Sequence, residues 1–151
     1  MPDVVIADTS CLIVLSNIKE LGLLQKLYGN IITTPDIARQ FAEHLPDWVI
    51  IKAPADHQKQ QILALQVDNG EASAIVLALE MPGNTIVLDD LQARKLAEQL
   101  GISITGTLGI IIKAKLNGLI PSIKPILNKI KQTNFRISPS LEAAALNEAN
   151  E

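Results

Sequence analysis

The 151-residue sequence is poor in cysteine, in aromatic residues and in long apolar runs. Its single cysteine, Cys11, excludes an internal disulfide and predicts a reducing compartment such as the cytoplasm. Aromatic residues make up only 3% of the chain, so aliphatic side chains must build the core. No apolar run reaches about 18 residues, and no basic segment precedes the apolar stretch at the N-terminus. We therefore expect a cytoplasmic protein with no membrane-spanning helix and no signal peptide.

Acidic residues are missing from one long part of the chain. No Asp or Glu occurs from Gln99 through Leu141, which we call the acid-free stretch, although the whole chain has 16 of them and a net charge of −3. The same stretch carries five lysines and Arg136. Three of the lysines are candidate contacts to an RNA backbone: Lys113, Lys115 and Lys124. A solvated lysine face or a partner surface explains the pattern equally well.

Short apolar runs alternate with longer segments of helical spacing. The runs predict buried parallel strands near residues 4–7, 31–33, 49–51, 86–88 and 102–104. Spacing, capping residues and Gly or Pro signals predict a helical region through residues 12–24 and helices from 35 and over 56–66, 68–80, 91–100, 108–117, 121–131 and 139–148. This alternation predicts an α/β/α sandwich, three layers around a central parallel sheet. Because no repeat or linker interrupts it, we expect one domain over residues 1–151.

Four carboxylates occupy positions that such a sheet would bring together. Asp8 follows the first apolar run, Asp89 and Asp90 follow the fourth, and Glu71 begins a helix. Parallel sheets bind ligands beyond the carboxyl ends of their strands, where the strand order reverses. Crowded carboxylates repel one another unless a cation neutralises them, and Mg²⁺ or Mn²⁺ prefers oxygen ligands. The pattern therefore favours metal-dependent phosphodiester chemistry.

Each of these acids also has a purely structural interpretation. Asp8 is suited to cap the helix that follows it, and Asp90 to cap the helix from Leu91. Asp68 and Glu71 have the spacing of a capping box. For any single acid the two interpretations have similar weight, except at Asp8, where burial makes an unpaired carboxylate costly.

Several short motifs occur together in this chain. They are Asp8-Thr9-Ser10, Thr34-Pro35-Asp36-Ile37, Gly70-Glu71-Ala72-Ser73-Ala74-Ile75, Leu88-Asp89-Asp90, Ala93-Arg94 and Phe135-Arg136-Ile137-Ser138-Pro139. Together they resemble the PIN-domain family, and more narrowly a toxin-like branch from bacteria and archaea. The resemblance covers nearly the whole chain and implies the strand order 3-2-1-4-5. It also implies a metal-dependent endoribonuclease that acts on RNA, often as the toxin paired with a small antitoxin protein.

The resemblance also implies roles for individual residues. The metal ligands and catalytic acids would be Asp8, Glu71, Asp89 and Asp90. Thr9 or Ser10 would hold a carboxylate or a water molecule in place. The remaining family acid matches a position that holds Gln40, whose amide accepts hydrogen bonds but removes one negative charge. Glu43 lies nearly one helical turn further on, so either the site is weakened or Glu43 has taken the role.

Two further interpretations concern partners. If Gln40 has ended turnover, the chain is a PIN-like binding module that acts through a protein or RNA partner. Ten aliphatic residues fill about twenty positions of the acid-free stretch: Ile110, Ile111, Ile112, Leu116, Leu119, Ile120, Ile123, Ile126, Leu127 and Ile130. This number exceeds what one face of two helices normally hides and predicts a homodimer, unless an antitoxin helix covers the surface.

Overall fold

The computed structural model describes residues 4–151 of the chain, in which strands and helices alternate. The five strands are β1 (Val4–Ala7), β2 (Ile31–Thr33), β3 (Val49–Ile51), β4 (Asn84–Val87) and β5 (Ser103–Thr105). The nine helices within these residues are α1 (Thr9–Asn17), α2 (Gly22–Tyr28), α3 (Pro35–Phe41), α4 (His57–Leu63), α5 (Asn69–Glu80), α6 (Leu91–Gln99), α7 (Thr107–Leu116), α8 (Lys124–Lys131) and α9 (Pro139–Glu148). Every predicted strand is present within two residues of its expected bounds.

All five strands are parallel and lie in the order β3-β2-β1-β4-β5. Helices flank this sheet, so the α/β/α sandwich and the strand order expected from the sequence are confirmed. β1 and β4 are neighbours, with Ala7 aligned to Val87 at the end of the two strands. The residues that follow them, Asp8 and Leu88-Asp89-Asp90, therefore leave the sheet side by side.

Aliphatic side chains fill the interior, as the low aromatic content requires. Ile6, Ile75 and Ile86 are fully buried on β1, α5 and β4. In α5, Gly70 and every residue from Ala72 to Ala78 are buried. This helix is the central element of the core, which fixes the direction in which its first turn points.

Two helices end earlier than the periodicity predicted, because a residue without a local stop signal adopts a left-handed conformation. Lys19 has φ 62° and separates α1 from α2 within the predicted helical region. Ala42 has φ 62° and ends α3 at Phe41. Glu43 therefore lies beyond the helix, and the argument that it shares a helical face with Gln40 is wrong. α8 also begins at Lys124 rather than at residue 121.

Most aliphatic residues of the acid-free stretch are buried within the chain itself. Seven of the ten residues behind the dimer argument belong to the core: Ile110, Ile111, Ile112, Ile123, Ile126, Leu127 and Ile130. Leu116 and Leu119 are 56% and 36% exposed. The premise that these helices hold more apolar surface than the protein can hide is therefore wrong. Among the described residues, no helix is long and apolar enough to cross a membrane.

Candidate active site at the carboxyl end of the sheet

Asp8 is a buried carboxylate at the end of the central strand. Only 2% of the residue is exposed, and its Oδ1 accepts a hydrogen bond of 2.9 Å from the Cys11 backbone N–H at the start of α1. Burial raises the pKa of Asp8 well above its ordinary value, and the negative charges of Asp89 and Glu71 raise it further. Backbone N–H groups of Cys11 and Asp89 oppose this shift. Asp8 is thus a helix cap that also lies in the field of two other acids.

Asp89 and Asp90 follow β4 and face different tasks. Asp89 accepts hydrogen bonds from the backbone N–H of Thr107 at 2.8 Å and from its hydroxyl at 2.5 Å, which fastens the start of α7 to the end of β4. Asp90 caps α6 by accepting from the Ala93 N–H at 3.0 Å through Oδ2. The capping interpretation is correct for Asp90, and it leaves Oδ1 of that carboxylate for another ligand.

Glu71 closes a capping box with Asp68 at the start of α5. Its Oε1 accepts from the Asp68 N–H at 3.1 Å, and its own N–H donates to Asp68 Oδ1 at 2.7 Å. Partial burial raises the pKa of Glu71 from 4.5 to about 7, and the charges of Asp68 and Asp90 add to that rise. Glu71 therefore caps its helix and still lies close enough to Asp90 for the charge of Asp90 to raise its pKa. We call Asp8, Glu71, Asp89 and Asp90 the carboxylate cluster.

Gln40 joins the same region from α3. Its side-chain oxygen accepts a hydrogen bond of 2.5 Å from the Thr9 hydroxyl, next to Asp8 in the chain. The amide also packs on Gly70, next to Glu71, where an added Cβ would lie 2.3 Å from Gln40 Oε1. The matched position of the missing acid thus lies between the elements that carry Asp8 and Glu71. Of the two predicted hydroxyls, Thr9 makes this contact.

Buried hydroxyl groups that the sequence reasoning missed hold these elements together. Thr34 and Ser73 share a hydrogen bond of 2.6 Å between α3 and α5, and Ser73 also donates to the Gly70 carbonyl at 2.6 Å. The Thr33 hydroxyl donates to the Ala7 carbonyl at 2.9 Å, just before Asp8. The available sequence signal was weak: a hydroxyl residue within an otherwise apolar segment.

Comparison with known families decides the identity of the fold. A family model described as a PIN domain matches residues 4–151. The chain belongs to the PIN-domain family. PIN domains are generally nucleases that use divalent metals and act on nucleic acids. No curated protein matches the chain significantly.

The oxygen ligands of this PIN domain suit a divalent cation, although the described residues do not form a complete set of ligands. The carboxylate cluster offers hard oxygen ligands. Burial raises the pKa of Asp8 and Glu71, and the charges of neighbouring acids raise it further, which is repulsion that a cation would relieve. Within residues 4–151, however, no three His, Cys, Asp or Glu side chains are arranged to hold one ion. That Asp8, Glu71 and at least one of Asp89 and Asp90 bind one ion therefore stays a prediction.

The predicted RNA-binding lysines do not lie with the carboxylate cluster. Thr107, which holds Asp89, begins α7, whereas Lys113 and Lys115 belong to its last turn, about 9 Å further along the helix. Lys113 lies 4.8 Å from the ring centre of Tyr28, which ends α2 just before β2 begins, at the amino end of the parallel strands. Lys115 donates to the Ala149 carbonyl and pairs with Glu151. Lys124 is exposed at the start of α8.

Arg94 is the cation that the structure does bring to the site. Its Nη1 donates to the Leu88 carbonyl at 2.7 Å, directly before Asp89. The sequence contained this residue only as part of a motif, without a role. A guanidinium held this way lies beside the carboxylate cluster, where a polyanionic substrate needs positive charge.

Proposed function

We propose that this PIN domain is a divalent-metal-dependent endoribonuclease and acts as the toxin of a toxin–antitoxin pair. The observation that carries the proposal is the position of Asp8, Glu71, Asp89 and Asp90 at one end of the sheet, with Asp8 buried there. Asp8 and Glu71 both have raised pKa values, and neighbouring acids contribute to each shift. The parallel sheet alone brings these helix starts to one edge, but burying the Asp8 carboxylate there beside other acids costs free energy, which a bound cation would offset. Family membership supports the same chemistry.

The acids of the carboxylate cluster and Thr107 have different proposed roles. Asp8, Glu71 and Asp90 would hold Mg²⁺ or Mn²⁺, with Asp89 beside them. When bound, the ion would lower the pKa of a water molecule and offset negative charge on the phosphate. Thr107 fixes Asp89 by two hydrogen bonds and so keeps the first turn of α7 beside the cluster.

A second group of residues supports the cluster. Thr9 holds Gln40 by its hydrogen bond of 2.5 Å. Ser10, in the first turn of α1, is the second hydroxyl proposed to orient a carboxylate or a water molecule.

The proposed setting is the cytoplasm, where the buried thiol of Cys11 stays reduced and a small antitoxin protein restrains cleavage. We retain a homodimer on narrower support than the sequence suggested: the exposed pair Leu116 and Leu119 at the end of α7 and just beyond it. Light scattering at high protein concentration tests this part. A monomer there contradicts the homodimer and leaves the nuclease proposal unaffected.

A second candidate function is a binding module with little or no turnover. Two points favour it: the position that the resemblance matches to a family acid holds an amide, Gln40, and the carboxylates of the described residues do not form a group of three that could hold one ion. Metal affinity separates the two functions, because a module that has lost turnover through loss of its metal site does not bind Mn²⁺ at the cluster.

The decisive experiment is cleavage of a fluorescence-quenched RNA during a Mn²⁺ titration, with Mn²⁺ affinity measured by calorimetry. Asp8→Asn should abolish both, because Asn keeps the cap on Cys11 but loses the charge. Asp56→Asn is the matched control, since Asp56 caps α4 in the same way, accepting from the Lys59 N–H at 3.0 Å. Cleavage that survives Asp8→Asn, or wild-type protein with neither cleavage nor Mn²⁺ binding, contradicts the enzyme proposal.

A further inference from the structure

A cavity of about 650 Å³ opens beside the carboxylate cluster, between the first turn of α6, the first two turns of α7 and one face of α9. Its charged lining residues are Asp89, Arg94, Arg136 and Glu148, and Gly106 lies among them. Its large apolar lining residues include Leu91, Phe135 and Leu141. Its volume falls in the range of small-ligand pockets. Because Asp89 belongs both to the cluster and to the cavity wall, a molecule in the cavity lies next to the reacting bond.

We propose that this cavity binds one nucleotide of single-stranded RNA, with its phosphate on Arg94 and Arg136 and its base against the apolar wall. The proposal rests on the proposed ribonuclease function and names the substrate contact of the same site. A nucleotide combines an anion with a flat apolar face, and the cavity offers a matching pair of surfaces.

Positive charge in this part of the protein is found in two settings: in ion pairs with protein acids and at the wall of the cavity. Three lysines of the acid-free stretch form ion pairs elsewhere: Lys115 with Glu151, Lys129 with Glu20 and Lys131 with Glu142. Arg94 and Arg136, by contrast, line the cavity next to Asp89. Arg136 is exposed and also borders a second cavity of about 680 Å³. Arginine matches phosphate geometry through paired N–H donors, so these two residues suit a phosphate better than the paired lysines do.

The apolar wall has more exposure than folding requires. Leu91 is 73% exposed and Leu141 is 45% exposed, and both line the cavity. Phe135, which packs partly on the core, lines it as well. Large apolar side chains exposed together around a charged pocket indicate a surface that a ligand covers. Aliphatic and aromatic faces accept any base, which fits an RNA contact with limited sequence preference.

Gly106 lies at the cavity wall, close to the charged groups of Arg94 and Asp89. Its φ of −122° is open to any residue, so glycine is not needed for the backbone conformation. A Cβ there would lie 2.9 Å from Arg94 Nη1 and 3.0 Å from Asp89 Oδ1. The missing side chain therefore leaves Arg94 and Asp89 facing the same small space, one ready for phosphate and the other belonging to the cluster.

The test is the affinity of a fluorescein-labelled RNA hexanucleotide for Asp8→Asn protein, measured by anisotropy across a salt series. In this Asp8→Asn protein, a second substitution, Arg136→Gln, should weaken RNA binding about tenfold. It should also reduce the slope of log affinity against log salt concentration by about 0.7, the value for one phosphate contact on a single strand. Added Leu141→Ser should weaken binding about fivefold with the slope unchanged, because it removes an uncharged contact. The controls are Lys26→Gln, an exposed lysine outside the cavity, and Leu65→Ser, a leucine that is 86% exposed elsewhere.

A second measurement needs neither cleavage nor tight RNA binding. Uridine 5′-monophosphate, titrated into ¹⁵N-labelled wild-type protein, should shift the amide resonances of Gly106, Phe135 and Leu141. Three results would overturn the nucleotide proposal: shifts confined to other residues, no shifts at all, or cavity variants that bind RNA as their controls do. A protein partner would then be the expected ligand of the cavity. Nucleotide binding without RNA cleavage refutes the proposed function alone. Cleavage by variants with unchanged RNA affinity refutes this inference alone.

Discussion

The carboxylate cluster and the acid-free stretch handle charge in opposite ways. In the cluster, burial raises the pKa of Asp8 and Glu71, and the negative charges of nearby acids raise it further. In the acid-free stretch, lysines find acids from other parts of the chain, as Lys131 does with Glu142 at 2.5 Å. Charge that is neutralised internally serves the fold. Charge of one sign that is gathered and left strained is kept for a ligand.

Helix capping explains how the fold tolerates the strained region. Asp8, Glu71 and Asp90 each satisfy a backbone N–H at the start of α1, α5 or α6. A cap contributes about 1 kcal/mol, which offsets part of the repulsion between the acids. The structural and functional interpretations of these acids are therefore compatible, since each carboxylate has a second oxygen.

The largest expected effect separates the two aspartates after β4. Asp90→Asn should slow RNA cleavage about 100-fold without changing thermal stability, because Asn keeps the cap on Ala93 and loses only the charge. Asp89→Asn should slow cleavage and also cost about 1 kcal/mol of stability, because it replaces one of the two acceptors that hold Thr107. Single-turnover kinetics and thermal unfolding measure the two properties.

The control for both variants is Asp56→Asn, a cap outside the cluster. If Asp56→Asn slows cleavage as much as Asp90→Asn, the contrast between caps and site acids is lost. If Asp90→Asn changes nothing, Asp89 is the acid that matters after β4.

The next effect tests which residue stands in for the missing acid. Gln40 contacts Thr9 and Gly70, beside Asp8 and Glu71, whereas Glu43 lies past the end of α3. Gln40→Glu should raise Mn²⁺ affinity and the cleavage rate about fivefold, because it adds a charge to the cluster. Glu43→Gln should change either value less than twofold. A crippled Glu43→Gln protein with a silent Gln40→Glu would reverse this assignment.

A smaller effect tests the basic side of the comparison. Lys115→Met should lower the free energy of unfolding by about 1 kcal/mol, because it removes the contacts to Ala149 and Glu151 while keeping the aliphatic stem. The KM for RNA should stay unchanged, and urea denaturation with steady-state kinetics measures both. Lys26→Met, at an exposed residue that was not assigned to RNA binding, is the control. A tenfold rise in KM for Lys115→Met with unaltered stability would restore the sequence-based role in RNA binding.

The strand ends could be predicted from the sequence because a buried parallel strand must be apolar throughout. The first charged residue after such a run, Asp8 or Asp89, then marks the carboxyl edge of the sheet. Neighbouring strands bring those residues together without any further information. The cluster acids could therefore be identified from local sequence patterns, and their capping roles could be predicted from the expected helix starts.

Contacts between distant elements could not be predicted in the same way. The hydrogen bonds of Thr107 to Asp89 and of Thr9 to Gln40 depend on packing, and no local pattern encodes them. The ends of α1 and α3 were missed because Lys19 and Ala42 adopt a conformation that favours Gly or Asn. The ion pair of Lys115 could not be predicted either, because its acidic partner, Glu151, lies outside the acid-free stretch.

The smallest effect measures the electrostatic strain itself. The folded protein raises the pKa of Glu71 from 4.5 to about 7, so it binds this proton more tightly than the unfolded chain does. The carboxyl group therefore costs no stability below pH 4.5, costs progressively more as the pH rises to 7, and costs a constant amount above it. Glu71→Gln mimics the protonated form and keeps an oxygen for the Asp68 N–H. It should match wild type at pH 4 and exceed it at pH 8 by less than about 1 kcal/mol, since solvent screens a half-exposed group. Urea denaturation at the two pH values measures the difference, and added Mg²⁺ should shrink it by stabilising the charged carboxylate. A variant that is less stable than wild type at pH 8 would mean that capping outweighs repulsion at Glu71, and the contrast between the two regions would then rest on Asp8 alone.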